Sequence, residues 1–289
     1  MGLRALVLGC TGQDGSYLAE QLIDDGVEVF GVVRRPTLTV PGVVRVQADL
    51  LDQASLEAAL RLVRPDEVYN LAAVTAPGGA WGTPQPPLLA DVTALGVVRL
   101  LDAVAAVCPD ASVVHASSSA VHDPHRYGLY GISKRFAHDA VAGYRNRLRC
   151  SNAVLYSHTS PRQDGRFLAP TIIRRLAGIA RGEPGRLLLT DIIGRRDWGW
   201  APDFTRALPL IARATPGDWT VATGRLRTVR EFVEAALIEL ELDWDAAVDL
   251  HQGDVAPAET RADIQPIKTL GWRPWTPLPA MVRQMVEAA

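Results

Sequence analysis

The chain has 289 residues, a formal net charge of −2 and 48% hydrophobic residues. That length suits one large α/β unit or two modest domains with ample core. The near-neutral balance speaks against nucleic-acid binding, which needs a surplus of Lys and Arg, and no run approaches the ~18 apolar residues of a membrane span. The N-terminus lacks the charged, apolar, then small pattern of a secretory signal, so a cytoplasmic location is expected. Cys10, Cys108 and Cys150 are scattered and odd in number. They read as small core residues in a reducing compartment rather than a disulfide framework. The histidines show no ligand spacing, and no metal is expected.

Along the first half, short β-branched runs alternate with amphipathic stretches. Strands are expected over residues 3–8, 27–33, 67–72, 112–116 and 150–156. Helices are expected over 16–25, 55–63, 88–107 and 130–147. Strands alternating with helices imply an α/β fold, a Rossmann-type doubly wound parallel sheet covered on both faces. Beyond about residue 160 helical stretches (167–181, 203–213, 228–241, 277–288) are separated by loops rich in Gly, Pro, Arg and Trp. The expected organisation is therefore a dinucleotide-binding domain over 1–160, with a return segment around 194–213, and a smaller, mainly helical substrate domain over 161–289.

The strongest local signal follows the first strand, Gly9-Cys-Thr11-Gly12-Gln13-Asp14-Gly15. Its glycines allow a tight turn and close approach to a pyrophosphate, whose charge sits at the N-terminus of the next helix. The second strand ends in Arg34-Arg35, where an NAD site usually places an acid for the ribose hydroxyl. Two guanidinium groups suit a 2′-phosphate instead, which points to NADP(H). Asp49-Leu50 is a candidate adenine contact, and Leu71-Ala72-Ala73 closes the fourth strand where the cofactor runs.

After the fifth strand come Ser117-Ser118-Ser119 and then Tyr130-Gly-Ile-Ser-Lys134. Tyr and Lys at i and i+4 share one helix face. A lysine ammonium beside a tyrosine favours the phenolate and is expected to bring the Tyr pKa down toward working pH. Such a Tyr exchanges a proton with a carbonyl oxygen that a Ser hydroxyl holds. Ser118, Tyr130 and Lys134 are the candidate catalytic set.

The chain resembles the GDP-mannose 4,6-dehydratase and GDP-6-deoxy-4-keto-sugar reductase branch of the extended short-chain dehydrogenases. The resemblance runs nearly end to end. It rests on Gly12-Gln-Asp-Gly-Ser-Tyr-Leu-Ala-Glu20, Gly31-Val-Val-Arg-Arg35, Pro65-Asp-Glu-Val-Tyr-Asn-Leu-Ala-Ala73, His158-Thr-Ser-Pro-Arg162 and Arg196-Asp-Trp-Gly199. It implies NADP(H), a nucleotide-sugar ancestor and often a homodimer.

The departures are informative. The resemblance places the dehydratases' C5 base, a Glu, at Ala120, so dehydration is not expected while Ser, Tyr and Lys remain for reduction. Polar family positions that serve sugar and diphosphate align with Ala80, Gly82, Ser157 and Ala256, and a site without those bonds loses that ligand. Trp81 lies in a stretch rich in Pro and Gly and offers cover for a flat ring. The segment between Ser119 and Tyr130 is markedly shorter than the family pattern, which should widen the mouth and could pull Tyr130 out of place. Thr75, Trp81, Ser119, His122, Ser157 and Trp198 are the candidate pocket residues. The expected activity is NADPH-dependent reduction of a small-molecule ketone to a secondary alcohol. A composition rich in Ala, Arg, Gly, Pro and Val, as in antibiotic-producing bacteria, favours a bulky aromatic polyketide of the angucyclinone kind. Reduction of a GDP-4-keto-6-deoxy-hexose and an NADP-sensing regulatory role are the alternatives.

Overall fold

The computed structural model describes residues 2–34, 40–75, 85–251 and 261–289. In chain order the first part builds β1 (Arg4–Leu8), α1 (Gln13–Asp24), β2 (Glu28–Val33), β3 (Val44–Gln47), α2 (Gln53–Val63) and β4 (Glu67–Asn70). There follow α3 (Pro86–Ala90), a π-helical turn (Asp91–Leu95), α4 (Gly96–Val107), β5 (Ser112–Ser118), two 3₁₀ turns (Ser119–His122 and Pro124–Tyr127), α5 (Gly128–Tyr144) and β6 (Arg149–Leu155). Next are β7 (His158–Thr159), α6 (Leu168–Ala180), β8 (Leu187–Leu189), β9 (Arg195–Asp197), β10 (Gly199–Trp200), α7 (Ala201–Thr205), α8 (Ala207–Arg213) and β11 (Asp218–Val221). The chain ends in β12 (Leu226–Thr228), α9 (Val229–Glu239), α10 (Trp244–Ala247), β13 (Val248–Leu250), α11 (Gln265–Lys268) and α12 (Leu278–Glu287).

Two compact units result. The first comprises Met1–Leu155, Thr205–Val221 and Pro266–Trp272. Its seven-stranded sheet has the order β3-β2-β1-β4-β5-β6-β11, and every neighbouring pair is parallel. Such a sheet is covered on both faces, which is why β1 buries Ala5, Leu6, Val7 and Leu8 in succession. Leu56, Leu60, Leu100, Leu101 and Val141 from the helices join Leu6, Leu8 and Val113 in its core. The strand order reverses between β1 and β4, and doubly wound sheets bind ligands at the carboxyl ends of the strands flanking such a reversal.

The second unit comprises Tyr156–Phe204, Ala222–Gln265 and Arg273–Ala289. Ile172 and Leu176 of α6, Phe232 and Val233 of α9, and Val282 and Met285 of α12 form its core. The expected mainly helical character is incomplete, because three two-stranded ladders, β7 with β10, β8 with β13 and β9 with β12, lie between the helices. Two- and three-residue strands carry too few side chains to print a period-2 pattern.

Other expectations shift for identifiable reasons. The return to the first unit spans 205–221 rather than 194–213, because β9 pairs with β12 of the second unit whereas β11 pairs with β6. The helix expected over 203–213 breaks after Thr205. There Asp203 is buried and its carboxylate accepts from the amides of Trp275 (3.2 Å) and Thr276 (2.8 Å). The helix expected over 88–107 contains the π turn, whose Thr93 hydroxyl accepts the Val74 amide at 3.1 Å. Trp272 is buried with the first unit, while Trp275 stays exposed. Among the described residues no helix is long and apolar enough to cross a membrane.

The returning α8 is fixed by a buried carboxylate. Arg213 Nε donates to Glu67 Oε1 at 2.9 Å, and the Tyr69 hydroxyl donates to Glu67 Oε2 at 2.5 Å. Burial, followed by the Glu67 charge, pushes the Tyr69 hydroxyl well above its ordinary pKa. Removing the cation strands Glu67 in the interior. Arg213→Ala should therefore lower unfolding stability by about 2 kcal/mol, less than for a fully buried pair because Arg213 is half exposed. Chemical denaturation of Arg213→Ala beside Arg213→Ala/Glu67→Gln tests it, and the double variant should recover part of the loss.

Candidate active site

The glycine loop sits at the carboxyl end of β1, beside the reversal. Gly9 has φ +82°, and a Cβ there would lie 2.9 Å from the Ala72 amide nitrogen, so the loops after β1 and β4 touch backbone to backbone. A Cβ on Gly15 would meet the Gly9 carbonyl oxygen at 2.1 Å, so only glycine lets α1 start this close to the strand. Gly12 caps α1 without a side-chain hydrogen bond, which leaves the helix N-terminus to backbone amides and the macrodipole, an arrangement suited to an anion. Thr11 and Gly12 are exposed, and Gln13 and Asp14 are half-buried, with Gln13 Nε2 donating to Asp14 Oδ1 at 3.0 Å.

Arg34 follows β2 and is exposed; Arg35 lies outside the described residues. Asp49 is engaged locally, its Oδ1 accepting from the Leu51 amide at 3.0 Å, and Leu50 is buried with its carbonyl accepting from Arg99 at 3.2 Å. Leu71, Ala72 and Ala73 are half-buried after β4, and Thr75 is exposed.

The three candidate catalytic residues converge at the tip of β5. Ser118 N-caps the first 3₁₀ turn, accepting from the Ala120 amide at 3.2 Å, and its hydroxyl lies beside that of Tyr130, close enough to act on the tyrosine's protonation. Lys134 is buried one turn along α5, with Nζ 5.9 Å from the Tyr130 ring centre and donating to the Ala116 carbonyl at 2.7 Å. The segment between Ser119 and Tyr130 is short and compact. It closes as two consecutive 3₁₀ turns, and the Pro124 carbonyl oxygen packs so close to Gly131 that a Cβ there would clash with it.

The electrostatics differ from the sequence expectation. Burial pushes the Tyr130 hydroxyl up to about 12, with the neighbouring Ser118 hydroxyl opposing and the Asp14 charge adding to the rise. Burial also brings the Lys134 ammonium down to about 8, with Asp14 opposing. Lys134 does not hold Tyr130 as a phenolate, because desolvation of the charged form outweighs any neighbouring charge. At neutral pH the tyrosine is protonated, the state of a proton donor.

Ser119 is half-buried beside Ser118, His122 is exposed, and Ala120 is buried. Ser157 and Trp198 belong to the second unit. There the Ser157 carbonyl accepts from the Gly199 amide at 2.9 Å, and the Trp198 indole stacks on Phe232 with centroids 4.7 Å apart. Trp81, with Ala80, Gly82 and Ala256, lies outside the described residues. The basic pair Arg174-Arg175 is turned to structural use, donating to the carbonyls of Gly165 (2.8 Å) and Pro184 (2.7 Å). Sequence reasoning missed the polar side chains of His115, His138, Asn152 and Asp218 between the sheet and α5. They sit in unrelated stretches, and only the strand register brings them together.

Comparison with known proteins fits this arrangement. The family model for GDP-mannose 4,6 dehydratase matches residues 6–285. GDP-mannose 4,6 dehydratase 2 of Arabidopsis thaliana is 33% identical, over 98% of this chain and 86% of that protein. Among solved structures, UDP-glucose 4-epimerase of Thermus thermophilus in complex with NAD superposes with a TM-score of 0.81 at 23% identity, covering 99% of this chain and 98% of that one. RMD from Pseudomonas aeruginosa complexed with NADPH also gives 0.81, at 20% identity, covering 100% and 97%. The glycine loop, the seven-stranded parallel sheet and a match along nearly the whole chain agree: the protein belongs to the GDP-mannose 4,6-dehydratase family, enzymes of oxidoreductase type built on the short-chain dehydrogenase/reductase fold.

Proposed function

We propose that this chain reduces a ketone to a secondary alcohol with NADPH and does not dehydrate a nucleotide sugar. One observation carries the reading: Ser118, Tyr130 and Lys134 lie together at the tip of β5, while Ala120, the position that the resemblance assigns to the elimination base, is a buried alanine. Alanine cannot remove a C5 proton, whereas reduction needs only a group to hold the carbonyl oxygen and a group to protonate it.

The first unit fits a dinucleotide. A Cβ would fill the loop at Gly15, the N-terminus of α1 has no side-chain cap, and Arg34 is exposed at the end of β2 where a 2′-phosphate would lie. When bound, the dihydronicotinamide supplies the hydride. The chain's own residues do the rest. Ser118 donates a hydrogen bond to the carbonyl oxygen and fixes its position. Tyr130, kept protonated by its raised pKa, passes its hydroxyl proton to that oxygen as negative charge develops there. Lys134, anchored on the Ala116 carbonyl, holds the next proton beside the tyrosine.

For the substrate, the replacements at Ala80, Gly82, Ser157 and Ala256 remove polar partners for a sugar and a diphosphate, and with Trp81 they favour a bulky aromatic ketone. Membership of the family favours a second substrate, a GDP-4-keto-6-deoxy-hexose, which needs no base either. NADPH consumption with a panel of aromatic polyketide ketones and that keto sugar separates the two, and inactivity towards every ketone would contradict both.

Two variants check the mechanism and the cofactor. Tyr130→Phe removes a donor used in the transition state, so kcat should fall by about 10²–10⁴ with little change in KM. Near-native turnover in steady-state assays would instead assign the proton to the substrate. Arg34→Ala combined with Arg35→Ala should weaken NADPH binding by about 2–4 kcal/mol if both hold the phosphate. Fluorescence titration measures this, and equal affinity of the native protein for NADH and NADPH would contradict the NADP assignment.

A further inference from the structure

Helix α5 carries Tyr130 and Lys134, and β5 ends in Ser118. The geometry of the proton donor therefore depends on how this helix is held to this strand. Two helix side chains, one turn apart and so on one face, meet consecutive residues of the strand. Lys134 Nζ donates to the Ala116 carbonyl at 2.7 Å, and His138 Nδ1 lies 3.0 Å from the Ser117 hydroxyl. The reduction mechanism uses the lysine and leaves His138 without a role. Ser117 is 3% exposed and directly precedes Ser118. Parallel strands ordinarily bury apolar residues, and a hydroxyl buried in one has to be hydrogen-bonded.

The His138 side is held in turn by two further strands. Asn152 of β6 donates through Nδ2 to the His138 carbonyl at 3.0 Å and to Asp218 Oδ1 at 2.8 Å. Asp218 of β11 is in register with Asn152 and paired with Arg145, and its Oδ2 lies 3.7 Å from His138 Nε2. The carboxylate favours the ring proton on Nε2, the nitrogen that faces it, which leaves Nδ1 to accept from the Ser117 O–H. The titratable and charged groups around the ring are Asp218 of β11, His115 of β5, Arg135 and Asp139 of α5, and Arg145 at the end of α5. Burial outweighs the two carboxylates and lowers the His138 pKa, so the ring is neutral at neutral pH and Nδ1 remains an acceptor.

We propose that His138 is a positioning residue for the reaction: through its hydrogen bond to Ser117, aligned by Asp218, it sets the distance at which α5 presents Tyr130 to Ser118. The role rests on the reduction reading. The lysine bond fixes one point of contact between helix and strand and lets the helix pivot about it. The second bond, one turn further along, removes that pivot. Both hydroxyls must reach the same carbonyl oxygen at once, and a misplacement of about 1 Å costs on the order of a hundredfold in rate.

The kinetic test compares His138→Leu, which fills space without an acceptor, with His138→Asn, whose amide oxygen can stand where Nδ1 stands. With NADPH and a ketone, kcat of His138→Leu should fall by about tenfold or more while KM for both changes little. His138→Asn should recover most of the loss. Ser117→Ala should match His138→Leu, and the double variant should be no slower than either single one, because both remove the same bond. Ser117→Ala also carries the test if His138→Leu does not fold. A native kcat in His138→Leu, a loss expressed in KM, no recovery in His138→Asn, or additive losses would each overturn the proposal. Crystal structures give a readout that needs no ketone. The distance between the Ser118 and Tyr130 hydroxyl oxygens should widen by about 0.5 Å or more in His138→Leu and return in His138→Asn. An unchanged distance overturns the proposal whatever the substrate proves to be. A native enzyme that reduces no ketone sinks the reduction reading instead, and the crystallographic comparison alone then decides whether His138 holds the pair.

Discussion

The juxtaposition of the Ser118 and Tyr130 hydroxyls is the constraint on which the proposed chemistry depends, and much of the first unit serves to hold it. Ser118 is the last residue of β5 and pairs with Leu155 of β6, while β4 pairs with the strand as far as His115. Tyr130 is the third residue of α5, and the distance between strand and helix is set by two 3₁₀ turns and the backbone contact of Pro124 on Gly131. Lys134 locks the second turn of the helix to the strand through the Ala116 carbonyl. A hydroxyl pair held from both elements needs little reorganisation to reach a carbonyl oxygen, and that is where positioning contributes most to rate.

Burial governs the protonation of this group more than charge does. It raises Tyr130 and lowers Lys134, and the Asp14 carboxylate at the start of α1 adds to the first shift and opposes the second. The outcome is a protonated tyrosine beside a lysine whose pKa lies near working pH, one group suited to donate and the other to be reloaded. Asp14 thus links the dinucleotide loop to the acid: the same first turn of α1 that presents amides to an anion also carries a charge felt at the tip of β5.

Much of this could be read from the chain in advance, and the limits have physical causes. The glycine loop, the Tyr-x-x-x-Lys spacing and the alternation of strands with helices are local patterns, so the fold and the convergence of Ser118, Tyr130 and Lys134 were legible. The direction of the tyrosine shift was not, because desolvation depends on what packs around the ring and not on the lysine four residues away. The break at Asp203 was hidden, since its acceptors come from residues 275 and 276. The grouping of His115, Asn152 and Asp218 was hidden for the same reason: register, not sequence spacing, makes neighbours of its members.

The central claim is that the tip of β5 retains a proton donor and has lost an elimination base. Incubating the native protein with GDP-mannose and NADP⁺, and following the sugar by mass spectrometry, addresses it most directly. With a buried alanine, Ala120, at the position that the resemblance assigns to the base, no 4-keto-6-deoxy product should form at an enzymatic rate. Its appearance at ~1 s⁻¹ or faster would mean that another group removes the C5 proton and would contradict the account.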